Sequence, residues 1–161
     1  DVNEVDDDDP KGIWEGCYGA IASANIALEA IEKLGSPASL DPQKGEALIC
    51  RAYWHFVLAN TFCKAYNPQT ANTDAGVPYT LVPETKPMEL PDRGTMAELY
   101  ANIEKDIVAA LPLINDDIYT VPKYHFNRKA AYAFATRFYL FYTHTDKSNY
   151  TKAINLSLIH I

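Results

Sequence analysis

Asp41–Phe62 reads DPQKGEALICRAYWHFVLANTF, and this stretch decides the fold. It opens with Asp41-Pro42, an N-cap residue type followed by proline, whose fixed φ and missing N–H suit a first helical turn. Behind them Ala47, Leu48, Ala52, Phe56, Ala59 and Phe62 recur at the spacing of one helix face. Small residues (Ala47, Ala52, Ala59) alternate with bulky Tyr53, Trp54 and Phe56. Small set against large is how stacked helix pairs approach closely and interdigitate.

Working outward, the same punctuation recurs. Asp9-Pro10 precedes an apolar face of Trp14, Tyr18, Ile21, Leu28 and Ile31, with Gly35 placed to end it. Thr95 and Glu98 form a capping box before Leu99, Ile103, Ile107, Ala110 and Leu111, and Pro112 with Asn115-Asp116-Asp117 marks the stop. A fourth segment starts near Asn127 and runs through Ala131, Phe134, Ala135, Phe138, Tyr139 and Tyr142; a fifth opens around Asn149-Tyr150. Strand signals are confined to Val77–Val82, which prolines flank. The chain is therefore expected to be all-α, with tetratricopeptide-like helix pairs, first with second and third with fourth, plus a truncated fifth helix. Between the pairs, Tyr66 to Arg93 lacks helical periodicity and holds five prolines. Irregular connections of more than about 12–15 residues are uncommon unless functional or disordered.

Composition narrows the function. The chain has 161 residues, is 48% hydrophobic and 22% charged, and carries a net charge of −7. One domain with a real core fits those values. The acidic balance argues against nucleic acid and against electrostatic docking on anionic lipid. Cys17, Cys50 and Cys63 are odd in number and show no C-x-x-C spacing, so free thiols are expected. No apolar run reaches the roughly 20 residues of a membrane span; Ala130–Tyr142 is interrupted by Arg137. His55, His125, His144 and His160 lack helical metal spacing, and His55 reads as a satisfied core histidine. Asp6–Asp9 reads as an acidic helix cap, and Asn72 to Gly76 offers only a weak set of oxygen ligands. No phosphate loop, nucleophile elbow or carboxylate pair stands out, so neither a cofactor, a metal nor an enzymatic activity is expected. Asn25 lies on an apolar face and must find hydrogen-bond partners there, and Glu46 with Arg51 suggests a partly buried ion pair or cap.

The order of these motifs resembles the N-terminal region of the SusD/RagB family. Trp14, Tyr18, Ile21 and Asn25 carry the likeness first, followed by Gly45-Glu46-Ala47 and Arg51-Ala52-Tyr53-Trp54 with Phe56. Gly76-Val77-Pro78, Arg93-Gly94-Thr95, Leu99-Tyr100 and Asp106-Ile107 continue it. Ala130-Ala131, Arg137, Tyr139-Leu140, Tyr150 and Lys152-Ala153 close it. Phe62 precedes Cys63 where the family often has Phe-Gly.

The resemblance implies an outer-membrane, cell-surface lipoprotein that captures oligosaccharides without cleaving them. It would work on a SusC-like TonB-dependent transporter and be held to the membrane by a lipid anchor alone. It also implies that residues 1–161 are the helical N-terminal region of a longer protein. A helical-repeat scaffold that binds protein, without glycan, is the alternative carried by the same helix pairs. Residues 156–161 depart from the expected helical pattern, resemble translated sequencing-adapter read-through, and are expected to be a foreign tail. The family's ligand contacts lie outside the shared motifs, so binding residues are sought in the long loop, with the acidic flank before Trp14 as the other place. There an aromatic and amide mixture, Tyr66, Asn67, Asn72, Asp74 and Tyr79, is expected to meet oligosaccharide or transporter.

Overall fold

The computed structural model describes residues 9–83, 91–143 and 147–158. Five α-helices build it: α1 (Pro10–Lys33), α2 (Asp41–Phe62), α3 (Met96–Ala110), α4 (Arg128–Phe141) and α5 (Ser148–Leu158). Among the described residues no strand forms; Ala75 and Thr95 make one isolated antiparallel bridge. Val77–Val82 is irregular and pairs with no strand among the described residues. The class is all-α, with tetratricopeptide-like helix pairs.

The caps explain most boundaries. Asp9 occupies the N-cap of α1 with extended backbone, although its carboxylate makes no capping bond. Gly35, at φ +80°, sits where α1 ends; its N–H bonds to Glu32 O and that of Ser36 to Ile31 O, so two orphan carbonyls are satisfied. The Thr95–Glu98 capping box is complete, and Asn127 caps α4 by accepting from Ala130 N–H. At α2 the expected cap is displaced by one residue. A 3₁₀ turn, Ala38–Leu40, leads directly into the helix, so Leu40 takes the N-cap position and Asp41 the first helical one.

Close packing joins α1 to α2, α2 to α3, and α4 to α5. Gly45 brings α2 against the end of α3: a β-carbon there would lie 3.0 Å from Leu113 Cβ and 3.1 Å from Ala110 O. The pairing of third with fourth helix expected from sequence is loosened. Tyr100 on α3 and Phe138 on α4 stack at 5.6 Å between ring centroids, so α3 meets α4 across bulky rings. The small, buried Ala153 lets α5 close on α4 instead. The aromatic seam continues through Phe56, Phe134, Tyr66 and Tyr142.

The segment at Leu156 is helical as far as it is described. Leu156 packs against the core and α5 runs on to Leu158; residues 159–161 lie outside the described residues. His144, Asp6–Asp8 and residues 84–90 of the long loop lie outside them too.

Candidate functional site

The long loop is ordered by two sets of contacts, each traceable to residue choice. Its first part folds back on the start of α3. Asn67 O accepts from Thr70 and Ala71 N–H, and its side-chain oxygen accepts from Gln69 N–H at 3.0 Å, an Asx turn. Ala71 O and Asp74 O then accept from Ala97 and Met96 N–H, and Gly76 N–H donates to Gly94 O. Gly76 is required for this approach, since a β-carbon would come within 3.0 Å of Thr95 O. Arg93 Nε donates to Gly76 O at 2.8 Å and closes the neck.

The second part, Pro78–Val82, lies across α1 and α2 and is held by a buried polar clasp. Tyr18 and Asn25 lie seven residues apart on α1, hence on one face, as do Arg51 and His55, four apart on α2. Tyr18 OH donates to Pro78 O at 2.8 Å and Asn25 Nδ2 to Thr80 O at 3.0 Å. Arg51 forks onto Asp106 of α3, Nε to Oδ2 at 2.6 Å and Nη2 to Oδ1 at 2.8 Å. Its Nη1 donates to Asn25 Oδ1 at 3.0 Å, and Tyr79 OH donates to Asp106 Oδ2 at 2.5 Å. Every strong donor and acceptor in this clasp thus has a partner, which a buried ion pair requires.

His55 completes the clasp and has a fixed tautomer. Its Nδ1 lies 2.8 Å from Arg51 O, a group that can only accept, so Nδ1 carries the hydrogen. Its Nε2 accepts from Thr80 N–H at 3.2 Å and must be bare. The ring stacks on Tyr79 at 3.9 Å. Burial holds this imidazole down, to about 4, even against the favourable bond to Arg51 O and the charge of Asp106. For Arg51, burial pulls the guanidinium down, but the bonds to and charge of Asp106, with Tyr79, leave it above its ordinary value. Burial also raises the Tyr79 hydroxyl, with Asp106 adding to the effect.

The five residues singled out in the loop fall into two places. Asn67, Asn72 and Asp74 share the turn over residues 67–74, where Asn67 and Asn72 are exposed. The Asp74 carboxylate accepts from Lys64 Nζ at 2.8 Å and from Thr70 Oγ1, and these bonds draw it below the usual carboxylate range. Tyr66 turns its half-buried ring to Tyr100 and Tyr142, at 4.7 and 4.9 Å. Tyr79 belongs to the clasp, its hydroxyl given to Asp106 and its ring laid on His55.

Two expectations about partners change. Glu46 and Arg51 do not pair: Arg51 turns inward to Asp106, while Glu46 accepts from His125 Nδ1 at 2.9 Å and from Phe126 N–H at 3.2 Å. The exposed rim of α2 leaves Glu46 free to staple the 111–127 connection. Asp106 itself was not singled out as a functional residue. The available signal was a carboxylate set between Ile103 and Ile107 on an apolar helix face, which needs a buried cation. Asn25 and His55 find the partners that their apolar surroundings demand.

The cysteines are free thiols, Cys17 buried and Cys50 and Cys63 half-buried. Among the described residues, no three His, Cys, Asp or Glu side chains gather to hold a metal, and no helix is long and apolar enough to cross a membrane.

Beside the clasp, between it and the start of α3, lies an open groove of about 290 Å³ lined by Tyr79, Arg93, Glu98 and Asn102 among others. A second opening of similar volume lies on the far side, where Leu28, Glu32, Lys44 and Arg51 face Leu81–Pro83.

Comparison with known proteins gives a consistent result. The SusD-like family described as "Starch-binding associating with outer membrane" matches residues 1–140. A SusD superfamily protein from Bacteroides thetaiotaomicron superposes with a TM-score of 0.73 at 27% identity, over 90% of this chain and 30% of that one. A protein from Bacteroides vulgatus described as sugar-binding gives 0.72 at 27% identity, over 96% and 33%. The chain thus spans about a third of the length of these solved structures. No curated protein matches it.

Proposed function

The chain belongs to the SusD-like family, and on that premise we propose that the protein captures glycans at the outer surface of the outer membrane without cleaving them. It passes them to a SusC-like TonB-dependent transporter and is held to the membrane by a lipid anchor. The observation that carries this reading is the family match across residues 1–140, joined by likeness to a solved protein described as sugar-binding. The loop between α2 and α3 supports it chemically. Its exposed turn offers the amides of Asn67 and Asn72, groups that pair with sugar hydroxyls, while the Asp74 carboxylate holds the turn through Lys64 and Thr70. Tyr66 and Tyr79 flank that turn in sequence, with their rings packed on Tyr100 and Tyr142 and on His55.

A glycan array followed by calorimetric titration of the strongest ligand tests the proposal. Saturable binding is expected, with the oligosaccharide recovered at its original length. An array without a ligand, or recovery of shortened product, overturns it. Transporter delivery is tested separately, by co-purification with a SusC-like transporter co-expressed in the outer membrane.

A further inference from the structure

We propose that the groove between the clasp and the start of α3 is a subsite for one neutral sugar ring, a proposal that rests on the glycan-binding reading above. At about 290 Å³ it lies at the lower edge of the roughly 300–1,000 Å³ of small-molecule clefts, so it admits a single ring and not a chain laid lengthwise.

Its walls divide by chemistry. Val77 and Leu99 line it but are almost fully buried, so the Tyr79 ring is the apolar face offered to sugar C–H groups. The Tyr79 ring forms a wall that cannot swing, pinned by the Asp106 bond and by stacking on His55. A preorganised aromatic wall binds without a further ordering cost. The rim carries Asp92, Arg93, Glu98 and Asn102. Gly94, at φ +62°, shapes this rim, since a β-carbon there would lie 3.2 Å from Glu98 Oε2.

The rim also selects the ligand class. Carboxylates accept from hydroxyls, the guanidinium donates to them, and an amide does both. That set suits a polyol, whose every hydroxyl is both donor and acceptor. Two carboxylates against one guanidinium leave the rim net negative, which repels a uronate or a sialic acid. Glu98 Oε2 is held by Thr95 N–H and Oγ1, Asp92 Oδ1 by Gly94 N–H, and Arg93 Nε by Gly76 O, so these three groups are fixed in position. Asn102 is different. It stands on α3 with no hydrogen bond to any described residue.

Asn102 is therefore the residue to test. Alanine there removes the amide and raises helix propensity, so the fold is not at risk. Native protein and Asn102→Ala are titrated with maltoheptaose, or with whichever neutral glycan the array returns in its place, and with oligogalacturonate. The expected result is about five- to tenfold weaker neutral-glycan binding in Asn102→Ala, the effect of one lost hydrogen bond, with an unchanged melting temperature. Asn102→Gln is expected to recover part of that loss, and oligogalacturonate to bind more weakly than the neutral ligand. If the array returns a ligand that both proteins bind equally, the subsite is overturned and the glycan-binding reading stands. Tighter binding of oligogalacturonate overturns the neutral class. An array with no ligand removes the glycan reading, and the subsite with it.

Discussion

The polar clasp and the aromatic seam hold the same molecule together by opposite means. The clasp joins α1, α2 and α3 to an irregular loop through Asn25, Arg51, His55, Tyr79 and Asp106. The seam joins α2 and α3 to α4 through Phe56, Tyr100, Phe134 and Phe138. A helix docks by filling space, because its backbone is already satisfied internally. An irregular segment cannot do so: the carbonyls of Pro78, Thr80 and Val82 and the Thr80 N–H have no ladder partners, and side chains must supply them. Apolar packing suffices for the seam, whereas the loop requires polar groups in the core. The clasp should therefore depend on chemistry and the seam on volume.

The largest expected effect breaks the clasp while keeping its shape. Asp106→Asn retains volume but removes the charge opposite Arg51, which is buried, with 8% of its side chain exposed. A buried ion left without its counter-charge costs about 3–5 kcal/mol. Urea unfolding should show the midpoint falling accordingly, and hydrogen exchange should show the Thr80 amide losing protection with it. Loss of less than about 1 kcal/mol would mean that the fork is not a stabilising contact.

Acid acts on the same clasp through His55. The folded imidazole takes a proton only near 4, while the unfolded chain takes it near the ordinary value of about 6.5. Between those values the unfolded state binds more protons, so stability is full above about 6.5 and is lost as pH falls toward 4. The loss should be on the order of 2–3 kcal/mol. Urea midpoints from pH 8 to pH 4 check it, and His55→Gln should flatten that limb. An equally steep limb in the variant would assign the acid sensitivity elsewhere.

The seam and the clasp were also unequally legible. Helices α1 to α4 could be read from caps and apolar spacing, because both signals are local. Asn25 and His55 could be seen to need partners, since each sits among apolar neighbours. Their partners could not be identified: Asp106 is 55 residues from Arg51, and Thr80 is 55 residues from Asn25. Register between such distant segments is set by the fold as a whole. Tyr79 illustrates the ambiguity, since an aromatic in a proline-rich loop reads as a ligand platform, and only the fold places its hydroxyl on Asp106. The α3–α4 spacing was hidden for a related reason. Tyr100 and Phe138 each look like ordinary core residues until their rings are found stacked between two helices.

A third test enlarges the seam side. Ala135 on α4 is fully buried, and leucine there must find room for three more carbons. Overpacking of this kind costs about 1–3 kcal/mol. The expected reading is a lower urea midpoint, with hydrogen-exchange protection falling along α4 and not at Thr80. An unchanged midpoint would show that no helix crosses α4 closely at this position.

The smallest effect is expected where the seam loses shape but keeps its chemistry. Phe138 is fully buried and touches the rings of Phe56, Tyr100, Tyr139 and Tyr142 at 5.2–6.0 Å between centroids. Leucine in its place remains apolar, leaves no donor or acceptor unpaired, and removes only part of the volume. The surrounding rings need only shift to close part of that gap, whereas the directional bonds around Asp106 leave no such freedom. Apolar swaps of similar size usually cost less than about 1.5 kcal/mol, and the lost ring pairing with Tyr100 belongs within that figure. Urea unfolding of Phe138→Leu should therefore shift the midpoint by less than half the shift seen in Asp106→Asn, at equal slope. Glycan affinity should be unchanged, because the groove beside Tyr79 is held by the clasp. If Phe138→Leu proves as costly as Asp106→Asn, the seam is as intolerant of substitution as the clasp, and the division between chemistry and volume does not describe this core.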